Sequence, residues 1–260
     1  KQRMFIVGVR SDLKITPSIL QKETSPNVKM VIGSLPKIRS GISKGIDSTE
    51  RWQKLLKDAQ KTKWFRSVIA SYDGCSSNLY QNLSSELPNK TLSNDYKKTE
   101  VMHKWFCDDN LNVLTLHEAR THMETDIYRY LFASTYSKVQ NVSPKLSDFP
   151  VELLPAHKNI EAGRNGKMFA DRFRVQLSNR VSTTITSHIS KDGHYYIHYD
   201  PAQCRSLTVR EAARLQTFPD NYHFEGPRTS QYQQVGNAVP PYLAIQIASI
   251  IKDVLDRMPE

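Results

Sequence analysis

The chain has 260 residues, 38% of them hydrophobic, a formal net charge of +10 and an isoelectric point near 9.4. That length suits one or two domains with a real core, and neither a signal-peptide core nor an apolar run of the ~20 residues that span a bilayer stands out in the sequence. Three cysteines, Cys75, Cys107 and Cys204, are too few and too scattered for a disulfide framework and suit a reducing compartment.

Residues 3–10, RMFIVGVR, form a short apolar run ending on glycine and arginine and read as a buried strand. The stretch 49–70, rich in Lys, Gln, Leu and Trp, predicts an amphipathic helix; 74–100, full of Ser, Asn and Lys, reads as loop; 119–139 reads as a second helix. From 172 onward RFRVQL, STTITS and HYYIHY, separated by Ser-Asn and Lys-Asp-Gly turn signals, predict strands. Thr208 and Glu211 then have the spacing of a capping box, with Leu207 and Ala212 at staple positions, and Pro219 predicts that this helix stops after Phe218. A last helix starts at Pro240-Pro241, where proline at the first position costs nothing. Its Leu243, Ile247, Ile250, Ile251, Val254 and Leu255 share one face and predict a packing helix.

The charge is concentrated. Residues 36–66 hold nine Lys and Arg against three acids. Lys54, Lys57 and Lys61 in that stretch suit a nucleic-acid backbone, where binding is driven by counterion release; a solvated helix face is the alternative. HEARTH at 117–122 sets its histidines five apart, about 140° around a helix, so no zinc-protease pair forms. His103 and Cys107 have i, i+4 spacing but no second pair, and no metal site is predicted. No Gly-rich phosphate loop occurs, and of the cysteines only Cys204, beside Arg205, has a basic neighbour that suits a nucleophile. These residues contain no self-sufficient active site.

RSLTVREAARLQTFPDNY (205–222) followed by QYQQVGNAVPPYLAIQIA (231–248) resembles the last two motifs of the cytosine-5 DNA methyltransferases, in the right order and at the right separation. RMFIVG (3–8) resembles the end of an earlier motif of that family, Gln-x-Arg-x-Arg before an apolar strand, and STTITSHIS (182–190) resembles its lead-in segment. The resemblance implies attack on C6 of a flipped cytosine by the cysteine of a Pro-Cys motif, with a Glu and an Arg holding the ring. Methyl transfer from S-adenosyl-L-methionine to C5 and elimination follow. Arg3 matches the second arginine and would be catalytic, contacting the cytosine O2; Lys1 stands where the first would be. Gly236, Asn237 and Ala238 would bind the cofactor: Gly236 by close backbone approach, Asn237 by hydrogen bonding, Ala238 by contact. Arg205, Arg210, Glu211 and Arg214 would organise the recognition domain.

The implied fold class is α/β: the end of a Rossmann-like S-adenosylmethionine-dependent domain over residues 1–30, and a mixed α+β target-recognition domain over 31–225. Residues 226–260 would return to the catalytic domain as a cofactor-side turn and closing helix. The implied partners are double-stranded DNA and the N-terminal catalytic half, on the same polypeptide or a separate subunit, in the cytoplasm of a bacterium and without a membrane. Pro-Cys, a Glu-Asn-Val-like segment and a Gly-rich cofactor-binding start are missing from these residues, so the chain is expected to be the C-terminal part of the enzyme and inactive alone. A DNA-binding module without catalysis is the other reading.

Overall fold

The computed structural model describes residues 5–70, 87–90, 98–156, 160, 163, 165, 170–191 and 193–258; Arg3, Cys75 and most of the 74–100 loop lie outside them. The described residues form helices α1 (Val28–Ile32), α2 (Thr49–Gln60), α3 (Lys63–Ala70), α4 (His103–Phe106) and α5 (Glu124–Gln140). Helices α6 (Val209–Leu215), α7 (Arg228–Asn237) and α8 (Pro241–Asp256) follow. Strands β1 (Gly41–Ile42) and β2 (Thr121–His122) pair in parallel, Gly41 opposite Thr121.

The helix expected over 49–70 is two helices. Ser48 caps α2 by accepting from Arg51 N, and the chain turns at Lys61–Thr62. There the Thr62 hydroxyl donates to Ala59 O and accepts from Phe65 N, closing one helix and opening the next. Trp52, Leu55, Leu56 and Ala59 form the buried face of α2. They meet Trp64 and Phe65 of α3 and Ile127, Leu131 and Phe132 of α5 in one core. Helix α5 is buried along most of its length and ends on Asn141 in the left-handed region at φ 55°. A second core joins α1 to Ile185, Ile189, Tyr196, α6 and the buried Tyr232 and Val235 of α7.

Two strand expectations are corrected. Residues 5–10 have no regular structure, and Ile6 is 85% exposed. A strand needs a ladder partner, and the described residues offer this segment none. The region 172–199 holds isolated bridges, Val175 with Ile197 and Ile197 with Ser206, rather than strands. Its backbone groups are satisfied partly by such single bridges, Gln176 N donating to Ile197 O and Ile197 N to Arg174 O, and partly by side chains: Thr183 N donates to Gln176 Oε1 and Thr186 N to the Tyr196 hydroxyl.

Helix α8 begins at Pro241 as expected, but of its apolar face only Val254 is buried, while Ile251 and Leu255 are exposed. The continuous stretch Arg228–Asp256 is long and apolar enough, by length and composition, to cross a membrane. The non-helical residues Ala238–Pro240 split it, and the 16 residues of α8 span about 24 Å, short of the ~30 Å of a bilayer core.

Candidate functional site

The two C-terminal motifs meet in one assembly organised by α6. Thr208 accepts from Glu211 N at 3.1 Å while Glu211 accepts from Thr208 N at 2.8 Å, the reciprocal capping box the spacing implied. The helix stops at Leu215 rather than Phe218, because Thr217 turns into the left-handed region at φ 66°.

Three arginines of this motif are wholly buried. Arg205 forms a two-pronged ion pair with Glu211, both contacts at 2.7 Å, and donates to Ile38 O. Arg210 donates to Thr115 O, Pro219 O and Tyr222 O. Arg214 grips Asp220 at 2.8 and 2.6 Å and reaches Val31 O and Ser34 Oγ. These groups bind distant segments together and are closed to solvent, so they cannot touch a substrate as they stand.

The electrostatics follow from that burial. Burial by itself would raise the Glu211 carboxyl, yet the Arg205 guanidinium holds it well below the usual carboxylate range. His117 is lowered to about 4, by burial first and in part by the Arg205 charge, against the pull of Glu211. Its Nε2 lies 2.8 Å from Pro36 O, which can only accept, so neutral His117 donates there and accepts from Thr208 Oγ1 at 3.0 Å through Nδ1. His198 is also lowered to about 4, by burial and then Arg205. His122, lowered to about 3 by burial and then Arg120, lies between Ser40 Oγ and Ser206 Oγ. Both HEARTH histidines are therefore structural. Among the described residues no three His, Cys, Asp or Glu side chains gather as metal ligands.

Residues 231–237, expected within a cofactor-side turn, belong to α7. Tyr232 is buried, donates to Leu207 O at 2.7 Å and carries the Arg120 guanidinium 4.0 Å from its ring centre. Gly236 allows the close approach anticipated, but the neighbour is this chain's own backbone. A Cβ there would lie 2.2 Å from Ser187 N and 2.3 Å from Thr186 C. Asn237 is exposed at the helix end and Ala238 is half-buried. The Cβ side of Gly236 is filled from within by residues 186–187, so no ligand approaches the helix there.

The turn is clamped to the end of the earlier motif by contacts sequence reading missed. Gln216 Nε2 donates to Ala238 O at 3.0 Å, and Tyr242 N donates to Thr217 Oγ1 at 3.1 Å. Thr217 thereby caps α8, whose own N-cap residue, Pro240, offers no side-chain acceptor. The Thr217 carbonyl accepts from the Trp105 indole at 2.9 Å, and that ring meets Tyr242 edge-on at 5.1 Å.

Arg3 lies outside the described residues. Lys54, Lys57 and Lys61 project from or just beyond α2 into solvent, where Lys54 and Lys61 both bond Asp58, at 2.9 and 3.0 Å. Cys204 is buried and its thiol is pushed well up by burial, the reverse of an activated nucleophile. Cys107 is half-buried against Thr99 O.

The family model of the C-5 cytosine-specific DNA methylases matches residues 1–253. Type II methyltransferase M.Bpa9945I of Bacillus paralicheniformis is 51% identical over 142 residues, which are 55% of this chain and 30% of that protein. Type II methyltransferase M.DdeI of Desulfomicrobium norvegicum is 33% identical over 144 residues, 52% of this chain and 32% of its own. DNA (cytosine-5)-methyltransferase 1B of Oryza sativa subsp. japonica is 50% identical over 106 residues, 41% of this chain and 7% of its own. The chain thus aligns with a third or less of the length of each of these relatives.

Proposed function

The chain belongs to the C-5 cytosine-specific DNA methylase family, and on that premise we propose that it is the C-terminal, DNA-recognising part of a cytosine-5 methyltransferase. It completes the pocket for the target base and the cofactor. The observation that carries this reading is the clamp of Gln216 and Thr217 onto Ala238 and Tyr242. Through it the recognition core and the turn beside the cofactor move as one piece.

S-adenosylmethionine, when bound, supplies the methyl group. This chain's residues have positioning roles around it: Asn237 hydrogen-bonds at the rim, Ala238 makes contact, and Gly236 lets α7 sit against residues 186–187 so that the rim is held. Arg3 contacts the O2 of the flipped cytosine. The nucleophile is a Pro-Cys cysteine on the N-terminal catalytic half, a Rossmann-like domain to which residues 1–30 and 226–260 belong; Pro-Cys occurs nowhere in these 260 residues. Residues 31–225 recognise duplex DNA in the bacterial cytoplasm as part of a restriction-modification system. Lys54, Lys57 and Lys61 meet its phosphates, Lys54 and Lys61 by exchanging Asp58 for the DNA backbone.

The test is Arg3→Ala in the assembled enzyme. Methylation is expected to be abolished with duplex binding nearly intact, whereas retained methylation, or binding lost in parallel, would contradict the catalytic role. Charge reversal at Lys54, Lys57 and Lys61 is expected to flatten the dependence of log affinity on log salt; an unchanged slope would assign that helix to solvent.

A further inference from the structure

A cavity of about 470 Å³ opens between α1, the C-terminal end of α5 and the segments 177–179 and 198–203. Lys29, Lys37 and Lys138 line it, with Ser137, Asn141 and Asn179 between them. Ser137 is 6% exposed and its hydroxyl has no hydrogen-bond partner. A buried hydroxyl is nearly always satisfied, so an orphan in a cavity wall marks the place of an absent partner.

The charges around it do not cancel. Two carboxylates share the lining, but Glu211 is spent on Arg205. Asp200 faces Lys37 at 3.6 Å and accepts from Ala202 N and Gln203 Nε2. His198 is held neutral near pH 7 by its burial. Lys29 and Lys138 have no carboxylate within ion-pair distance among the described residues, which leaves two uncompensated cations beside an unpaired hydroxyl and two amide side chains. That set of donors suits an anionic group with several acceptor oxygens.

We propose that this cavity binds a phosphate group. On the DNA reading above, upon which this source rests, it is a backbone phosphate of the duplex, gripped by residues other than the α2 lysines. The volume leaves room for the attached sugar.

The experiment titrates inorganic phosphate into the chain against chloride at matched ionic strength, following the side-chain amide signals of Asn141 and Asn179 and the thermal midpoint. Saturable shifts and a midpoint rising with phosphate are expected, weakened at least tenfold by Ser137→Ala and by Lys29→Gln with Lys138→Gln. Ser137→Ala is expected to fold at least as stably as the parent, since it removes an unsatisfied group, so its loss of binding is separable from damage. A second arm measures duplex affinity against salt, where the double lysine variant is expected to lower the log–log slope by about 1. Shifts that never saturate, or that ignore these substitutions, overturn the site. Saturable phosphate binding with an unchanged slope overturns the duplex as its source and points to a free phosphate or nucleotide. A parent chain that binds phosphate but no duplex contradicts the proposed function while the cavity assignment stands.

Discussion

Gly236→Ala sets two effects of opposite sign against each other. Gly236 lies in the last turn of α7, so alanine gains about 1 kcal/mol of helix propensity. The new Cβ, however, would lie 2.2, 2.3 and 2.5 Å from Ser187 N, Thr186 C and Ser187 Cα. All three are backbone atoms, which cannot swing aside as a side-chain end can, and overpacking of this kind costs about 1–3 kcal/mol or more. Contacts of 2.2–2.5 Å to fixed backbone put the cost at the upper end of that range, about 3 kcal/mol, so the clash should win with a net loss of about 2 kcal/mol once the propensity gain is subtracted. Urea unfolding at equal m-value reads this as a lower midpoint. Gly8→Ala, with nothing within 4 Å of its Cβ, is the control and should change stability by less than about 1 kcal/mol. If Gly236→Ala were as stable as the parent, helix propensity would dominate, residues 186–187 would be yielding, and the account of the motif as one rigid piece would fail.

Three further outcomes are expected. Because His117 binds its proton at about 4 in the folded chain and at an ordinary 6.5 when unfolded, its contribution is full above pH 6.5. As the pH falls from 6.5 to 4 that contribution, about 3 kcal/mol at most, is lost, which urea midpoints at pH 7 and 4.5 would read; equal midpoints refute it. Arg214→Ala takes from the buried Asp220 its two shortest contacts, leaving the Arg210 guanidinium at 3.9 Å, and should cost about 3 kcal/mol, with partial recovery when Asp220→Asn is added; a loss under 1 kcal/mol would mean that water or Arg210 takes over the pairing. Thr217→Ala should lose about 1 kcal/mol and the hydrogen-exchange protection of the Tyr242 amide, while Thr217→Ser keeps that protection; equal protection in both variants would remove the hydroxyl from the cap.

What could be read from the sequence follows the range of the forces involved. The start of α6 was legible because a capping box closes within four residues, from Thr208 to Glu211. The start of α8 was legible because proline is tolerated at Pro241. The strands expected over 172–199 were misread because Val, Ile, Thr and Tyr report a half-buried surface, and here Gln176 and Tyr196 take the backbone bonds that a neighbouring strand would otherwise take. Helix α7 escaped notice because only Tyr232, Val235 and Gly236 of its ten residues are buried, which leaves no apolar stripe to detect. At the site, the need for glycine at position 236 was legible, but its neighbour, 49 residues earlier in the chain, is set by tertiary packing. Thr217 could not be anticipated, since a β-branched residue at positive φ is disfavoured locally and is held there by contacts with Trp105 and Tyr242.

The most direct measurement is methyl transfer from labelled S-adenosylmethionine to duplex DNA by the purified chain, alone and joined to the proposed catalytic half with its Pro-Cys nucleophile. The account predicts no incorporation by the chain alone and cytosine C5 methylation by the assembly. Label transferred by the chain alone would contradict the placement of the nucleophile, and an assembly that binds DNA yet never methylates it would leave a binding module in place of an enzyme.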